Sequence, residues 1–312
     1  MNFGKTVKQE IASKPPKDKC CKKAFLSGVI RGASKLVEKD GNLALEITII
    51  GEEAETLIRS YLSMIYGYEV RTFKTVGGRA KELKTILTIE GEELYTILID
   101  LGVFTDNGTE VSVNLNMYEG IKKECCIRSF IKGLFLSSGG CTVPSERDSK
   151  NTRYHLEINF SSPVAAEQTA RILLERGVQT RIMRRKSNYV IYIKSVEEIN
   201  NFFAFIGTPI SVLKLTDLVA TKEFVNNINR QQNCELANMD KQIEASGKQI
   251  SAIKKIESIK GLEYLKNDLR AVAEARLSNP EDTLPQLAEK LGITKSCINH
   301  RLRKIVEIAN EL

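Results

Sequence analysis

The sequence CCKKAFLSGVIRGAS at residues 20–34 has a counterpart, CCIRSFIKGLFLSSG, at residues 125–139. Both stretches begin with two cysteines, and their central glycines, Gly28 and Gly133, lie at the same offset of 105 residues. Their apolar residues recur at helical spacing. A glycine in a helix interior costs about 1 kcal/mol relative to alanine. We therefore predict two helices that each use the glycine to approach another backbone closely.

Further matches, in the same order, extend the likeness over a hundred residues. LEIT at residues 45–48 recurs as LEIN at 156–159, and the two glutamates at 92–93 recur at 197–198. This pattern predicts a duplicated unit that spans residues 19–102 and 124–207. Periodicity predicts the order α-β-α-β-β-α in each copy, with the first helix at residues 22–36, a strand at 43–49 and paired strands at 68–73 and 85–89. An extra strand before Glu52 is an alternative.

The composition of the chain is that of a globular protein. It has 312 residues, of which 42% are hydrophobic and 27% charged, and this length favours two domains. No apolar run approaches the roughly 18 residues that a transmembrane helix needs, and the first residues contain no apolar core of a secretory signal. We therefore predict a cytoplasmic protein with no membrane partner.

The seven cysteines predict neither a disulfide framework nor a metal site. An odd number leaves one thiol unpaired. Adjacent cysteines within one helical turn cannot readily both bind one tetrahedral zinc ion, and the sequence has no Cys-x-x-Cys motif. The pairs at 20–21 and 125–126 are predicted to be small buried residues at the starts of the two helices, and no cofactor is expected.

Basic residues concentrate in one segment of each repeat. The net charge is +7, from 46 Lys and Arg against 39 Asp and Glu, a modest excess that is compatible with a polyanionic partner. Residues 176–194 contain no acid, and residues 71–84 contain only Glu82. These hairpins are either solvated surfaces or DNA contacts. The candidate contacts are Arg71, Lys74, Arg79, Arg181, Arg184, Arg185 and Lys186.

The C-terminal region has the spacing of a helix-turn-helix. The segment LPQLAEKLGITKSCINHRLRKI at residues 284–305 predicts two helices with a turn at Gly292, in a motif that begins at Thr283 and ends at Glu307. One face of the second helix is apolar, and the other has no acid between residues 295 and 304, which fits a helix in the DNA major groove. A module that binds protein is the alternative. The candidate DNA contacts are Lys295, Ser296, Asn299, His300, Arg303 and Lys304.

The two paired helices resemble the LAGLIDADG motif of homing endonucleases, in which two copies per chain are common. The segments FLSGVIRGAS at 25–34 and FIKGLFLSSG at 130–139 place Gly28 and Gly133 on the central glycine of that motif. The resemblance implies that the helices pack against each other at a pseudo-twofold axis. It also implies that the strands of each repeat form a concave saddle for duplex DNA, although a saddle that binds protein is an alternative.

The chemistry of the motif departs from that family. The resemblance implies an acid at the end of each helix, where the two acids would hold divalent cations that stabilise the attacking and leaving oxygens. The matching positions are Ala33 and Ser138, and neither is a strong ligand for a hard cation. We predict a scaffold that no longer cleaves DNA. An active nuclease or an RNA-splicing maturase is the enzymatic alternative.

The combination of the two regions resembles the WhiA family of bacterial regulators over nearly the whole chain. The segment KSCINHRLRKI at 295–305 resembles the recognition helix of that family, and NRQQNCELANMDK at 229–241 resembles its linker. The resemblance implies a sequence-specific DNA-binding protein that regulates transcription. It further implies a role in sporulation, or in cell division and chromosome segregation.

Together these features predict an α+β protein of four parts. Residues 1–18 form an N-terminal arm, 19–208 a duplicated LAGLIDADG homing-endonuclease-like domain, 209–250 a helical linker, and 251–312 an all-α helix-turn-helix domain. The predicted partner is double-stranded DNA, which implies association with the nucleoid. A second transcription regulator as partner and an adaptor role for the saddle stay open. A monomer is expected, because the pseudo-twofold axis lies inside one chain.

Overall fold

The chain folds into two compact units, Met1–Ala220 and Thr221–Leu312. The computed structural model describes residues 2–39, 41–77, 82–108, 110–118, 121–144 and 153–312. The architecture is α+β, as predicted: the first unit contains helices and all the described strands, and the second unit is helical. In the described part of the chain, no helix is long and apolar enough to cross a membrane.

The first unit opens with a helix and then the first repeat. Their elements are α1 (Phe3–Ser13), α2 (Lys19–Ala33), β1 (Ser34–Lys39), β2 (Asn42–Ile50), α3 (Glu52–Tyr66), β3 (Arg71–Gly77), β4 (Glu82–Glu90) and α4 (Glu92–Asp100). The four strands form an antiparallel sheet in the order β1-β2-β4-β3. Along β2, Leu45, Ile47 and Ile49 are buried in the core. Glu46 lies on the other side of the sheet, which we call its open face.

The second repeat has the same topology. After a short hairpin, β5 (Phe104–Asp106) and β6 (Val111–Val113), it contains α5 (Glu124–Ser138), β7 (Gly139–Thr142), β8 (His155–Phe160), α6 (Pro163–Leu174), β9 (Arg181–Arg185), β10 (Asn188–Ile193) and α7 (Val196–Ile206). Its antiparallel sheet has the order β7-β8-β10-β9. Matching strand orders in the two sheets confirm the predicted duplication.

Each repeat contains one strand more than the periodicity predicted. The first helix was expected to continue to Leu36, but α2 ends at Ala33 and the backbone of Ser34 is extended. The side chain of Lys35 instead reaches Glu46 across the sheet, 3.0 Å from its carboxylate. In the second repeat, β7 is only four residues long and begins with two glycines, so it carries no readable alternation.

Helix α1 lies within the stretch that the sequence set apart as an arm, but it is part of the first unit's core. Phe3, Val7 and Ile11 are fully buried in it, and the ring of Phe3 lies 5.9 Å from that of Phe203. The carboxylate of Glu10 accepts hydrogen bonds from the backbone amides of Ile210 and Ser211 at 2.9 and 2.8 Å. Glu10 therefore satisfies free amides in the first turn of the long helix that begins at Pro209.

The centre of the first unit is the contact between α2 and α5. A Cβ on Gly28 would overlap the carbonyl oxygen of Phe130, and a Cβ on Gly133 would overlap that of Phe25. The two backbones therefore touch at the motif glycines, in a symmetric manner. This contact explains why the interior of each helix carries a glycine, as the sequence predicted.

The second unit is entirely helical in its described residues. A long helix, α8 (Pro209–Lys260), runs from the first unit into it and is followed by a 3-10 helix at Leu262–Tyr264, then α9 (Asn267–Ser278), α10 (Leu284–Leu291) and α11 (Lys295–Glu311). Ile253, Ile256, Val272 and Ala273 are buried in the core of this unit, which is separate from the core of the first unit.

Candidate nucleic-acid interface

The helix-turn-helix is built from local capping interactions. The hydroxyl of Thr283 accepts the amide of Gln286, whose side chain in turn accepts the amide of Thr283 at 2.8 Å, which forms a capping box at the start of α10. The helix ends at Gly292, in the left-handed conformation with φ of 61°, which glycine adopts without steric cost. The hydroxyl of Thr294 then accepts the amide of Cys297 and caps α11.

The buried face of α11 fixes which side chains are presented to solvent. Ile298, Leu302, Ile305 and Ala309 are buried against Leu287 and the other core residues of the unit. They recur at helical spacing, so the opposite face is solvent-exposed. Five of the six candidate contacts are exposed and Asn299 is half-buried; the exposed ones are Lys295, Ser296, His300, Arg303 and Lys304.

Among the described residues, this exposed face has one acidic neighbour. Glu307 lies one turn beyond Lys304, with 3.4 Å between the ammonium and the carboxylate. Both groups are more than half exposed, so their ion pair contributes little and does not prevent Lys304 from reaching another anion.

A buried arginine that the sequence analysis missed holds the segment before α10. Arg276 is 2% exposed, and its guanidinium donates a hydrogen bond of 2.7 Å to the carbonyl of Asp282, next to the capping Thr283. Burial lowers the pKa of Arg276. In the sequence, Arg276 continues the helical spacing of the buried residues Leu269, Val272 and Ala273. That spacing is hard to recognise because an arginine is rarely buried.

The strands divide the candidate contacts of the saddle between two faces. Cross-strand neighbours share a face of a sheet. Arg71 lies in register with Thr88 and, through it, with Glu46 on the open face, whereas Lys74 is in register with Thr85 and, through it, with the buried Ile49. Of these two candidate contacts, Arg71 therefore belongs to the concave surface of the first repeat and Lys74 does not.

The second repeat shows the same division. Arg181 is in register with Tyr192 and, through it, with Glu157 on the open face, and Arg185 lies 3.5 Å from the same carboxylate. Arg184 is in register with Tyr189, which pairs with the buried Phe160. Lys186 lies in the turn, with a positive φ of 59°. Arg79 lies outside the described residues.

Acids accompany the basic residues of both open faces. Arg71 is 2.7 Å from Glu90, and Lys35 and Lys39 share Glu46 at 3.0 and 2.9 Å. These two lysines lower the pKa of Glu46, chiefly through the hydrogen bond from Lys39. In the second repeat, Glu157 lies between Arg185 and the ring of His155, which is 3.1 Å away. The local charge of the saddle is therefore largely compensated.

The ends of the two central helices, where the family motif places its acids, contain other groups. The hydroxyl of Ser138 donates a hydrogen bond of 3.0 Å to the carbonyl of Leu134, and Ala33 has no polar side-chain atom. Arg31, two residues before Ala33, donates to the carbonyls of Asn114 and Gly102. Burial lowers the pKa of Arg31 to about 10. A guanidinium in this position disfavours a cation nearby.

The starts of the same helices bring cysteine thiols together. The Sγ atoms of Cys20, Cys21 and Cys126 all lie within 4.8 Å of one another, and those of Cys21 and Cys126 are 3.9 Å apart. The prediction of four buried cysteines is wrong for Cys20 and Cys125, which are exposed. Each adjacent pair alone is unsuited to one tetrahedral ion, but in the fold the thiols converge from two helices.

The linker signature lies on the surface of α8. Asn229, Arg230, Asn233 and Cys234 are exposed, and the side chain of Asn238 donates to the Cys234 sulfur at 3.7 Å. This is a contact within one helix, at i and i+4.

Two family models match the chain. The model of the WhiA LAGLIDADG-like domain matches residues 127–226, and that of the WhiA C-terminal HTH domain matches residues 228–309. A relative named "Probable cell division protein WhiA" from Bacillus subtilis is 33% identical, over 100% of this chain and 97% of its own length. One of the same name from Caldicellulosiruptor saccharolyticus is 32% identical, over 100% and 96%.

A solved structure gives the same result for the fold. The crystal structure of full-length WhiA from Thermotoga maritima matches with a TM-score of 0.56 and 24% identity, over 100% of this chain and 99% of the other. The domain order therefore defines a class of proteins in which a two-repeat LAGLIDADG-like domain precedes a helix-turn-helix domain. The chain belongs to the WhiA family, as the sequence predicted.

Proposed function

We propose that the chain binds specific sequences in double-stranded DNA through its helix-turn-helix domain and regulates transcription in cell division, chromosome segregation or sporulation. The observation that carries this proposal is the exposed face of α11, where Lys295, His300 and Arg303 lie together without an acid between residues 295 and 304. The names of the relatives support the link with cell division.

The order of residues along α11 suggests how the two kinds of DNA contact are divided. Ser296 and Asn299, in the first turns, offer hydroxyl and amide groups that can bind base edges in the major groove. Arg303 and Lys304 lie further along the helix and suit phosphates, which position the helix without reading sequence. We expect the association to weaken steeply with salt.

The proposal includes a scaffold that does not cleave DNA. Its support is chemical: alanine and a hydrogen-bonded serine occupy the two acid positions, and Arg31 adds a positive charge beside one of them. Supercoiled plasmid that carries a bound site, incubated with the protein and Mg²⁺ or Mn²⁺, should stay supercoiled. A nick at a defined position would identify an active nuclease instead.

The direct test is selection of bound duplexes from a random DNA library by the purified full-length chain. We expect one enriched sequence motif, and we expect the protein to protect that motif from nuclease digestion. Enrichment without any motif would leave only non-specific binding and would contradict the proposal.

Two further expectations have their own tests. Light scattering of the free chain tests whether it is a monomer. Imaging of a fluorescent fusion tests whether it is cytoplasmic and associated with the nucleoid.

A further inference from the structure

A cluster of four cysteines lies at the opposite end of the central helices from the degenerate motif. Cys20 and Cys21 are the second and third residues of α2, and Cys125 and Cys126 are the second and third of α5. Twelve residues of helix separate Cys21 from Ala33, which corresponds to about 18 Å. The cysteine cluster is therefore a separate site from the one at which the nuclease family holds its cations.

The sulfur positions suit a tetrahedral cation. Four thiolates at about 2.3 Å from a zinc ion lie about 3.8 Å from one another. The Cys21 and Cys126 sulfurs are 3.9 Å apart, and Cys20 completes a group within 4.8 Å. The fourth ligand would be Cys125, which precedes Cys126 on α5 and is exposed.

The surroundings favour thiolates over thiols at this end of the helices. Neither α2 nor α5 has a side-chain cap at its N-terminus, so free backbone amides and the helix dipoles stabilise negative charge there. The thiols would lose their remaining protons when a cation binds.

The cluster is accessible. Cys20 and Cys126 line a cavity of about 470 Å³, together with Lys23, Ser27 and Asp100. A hydrated ion can therefore reach the sulfurs without rearrangement of the core. Lys23 is paired with Asp100 at 2.7 Å and lies near enough to the cavity to offset part of the negative charge of a four-thiolate site.

We propose that Cys20, Cys21, Cys125 and Cys126 form a structural site for a soft divalent cation, Zn²⁺, which joins the N-terminal ends of the two repeats. The ligands come in symmetric pairs from α2 and α5, so the ion links the repeats at the pseudo-twofold axis. Binding releases the thiol protons and stabilises the folded domain, because the unfolded chain does not hold the two pairs together.

The test uses the full-length chain, stripped with a chelator under reducing conditions and then supplied with Zn²⁺ alone. We expect one zinc per chain by elemental analysis after gel filtration, and a thiolate-to-metal charge-transfer band when Co²⁺ replaces Zn²⁺. Cys20→Ser and Cys125→Ser should each weaken zinc binding at least about tenfold. Both residues are exposed, so these variants should fold. Cys234→Ser, which changes an exposed cysteine of α8, is the matched control and should bind zinc as the unmodified chain does.

Three results would overturn the proposal. One is a fully reduced chain that retains no zinc and shows no Co²⁺ charge-transfer band. Another is equal zinc loss in Cys234→Ser and Cys20→Ser, which would indicate adventitious thiol binding. The third is a disulfide between Cys21 and Cys126 in protein isolated from cells without oxidant, since a disulfide removes both buried ligands.

Discussion

The open faces of the saddle and the exposed face of α11 are both basic, but the saddle pairs a larger part of its basic residues with acids. In the first repeat, three basic groups, Lys35, Lys39 and Arg71, face two acids, Glu46 and Glu90. On α11, Lys304 pairs with Glu307 and Arg301 with Asp268, whereas Lys295 and Arg303 are in no ion pair among the described residues. A polyanion must break ion pairs to reach the basic groups of the first surface, but it can reach Lys295 and Arg303 directly. The difference favours α11 over the saddle as the surface for the proposed DNA contact.

The central helices of the first unit touch backbone to backbone at Gly133, and this contact gives the largest expected effect. Gly133→Ala places a methyl group against the backbone of Phe25, so we expect it to destabilise the first unit by about 3 kcal/mol. The second unit has a separate core, and its unfolding transition should not move. Differential scanning calorimetry measures both.

The matched control is a helical glycine with open space around it. A Cβ on Gly247 meets no atom within 4 Å, so Gly247→Ala should stabilise the helix by about 0.5–1 kcal/mol. A neutral Gly133→Ala variant would mean that the two central helices do not touch at the motif glycines.

The next largest effect concerns DNA affinity. Arg303→Ala combined with Lys304→Ala should weaken binding of a selected duplex about 100-fold, since base and phosphate contacts contribute about 1–3 kcal/mol each. Fluorescence anisotropy at fixed salt measures the loss. Lys254→Ala combined with Lys260→Ala removes the same charge from exposed positions of α8 and should change affinity little. Equal losses in the two double variants would make net charge, not this helix face, the cause.

Lys304→Ala alone separates a phosphate contact from a base contact. If Lys304 binds a phosphate, the variant should lose about tenfold in affinity for every duplex, and the salt dependence should fall by about 0.9 in the slope of log K against log salt. A titration series in potassium chloride measures the slope. An unchanged slope with altered sequence preference would assign Lys304 to base recognition.

The helix-turn-helix could be predicted from the sequence because the residues that determine it are close together in the chain. The cap at Thr283, the turn at Gly292 and the apolar spacing from Ile298 to Ala309 lie within one short segment, and the structure contains all three. Likewise, the repeated glycines of the central helices predicted a close approach that the backbone contacts confirm. The predicted DNA contacts themselves remain predictions.

The features that sequence reasoning missed depend on residues far apart in the chain. The acid beside Arg185 is Glu157, across the sheet, so the run of basic residues looked unopposed. The thiols of Cys21 and Cys126 meet across 105 residues, and each pair alone looked unsuitable for a metal. The role of α1 in the core was missed because the ring on which Phe3 packs, that of Phe203, lies 200 residues further along the chain.

The smallest expected effect is the one that tests the saddle directly. Arg181→Ala combined with Arg185→Ala removes two positive charges from the open face of the second sheet, one of them already paired with Glu157. Since exposed pairs contribute about 0.2–1 kcal/mol, we expect less than about a threefold loss of DNA affinity in the anisotropy assay. A loss as large as that of the α11 double variant would show that the saddle, despite its acids, shares the duplex with the helix-turn-helix. In that case Glu157→Gln, which frees Arg185, should increase affinity.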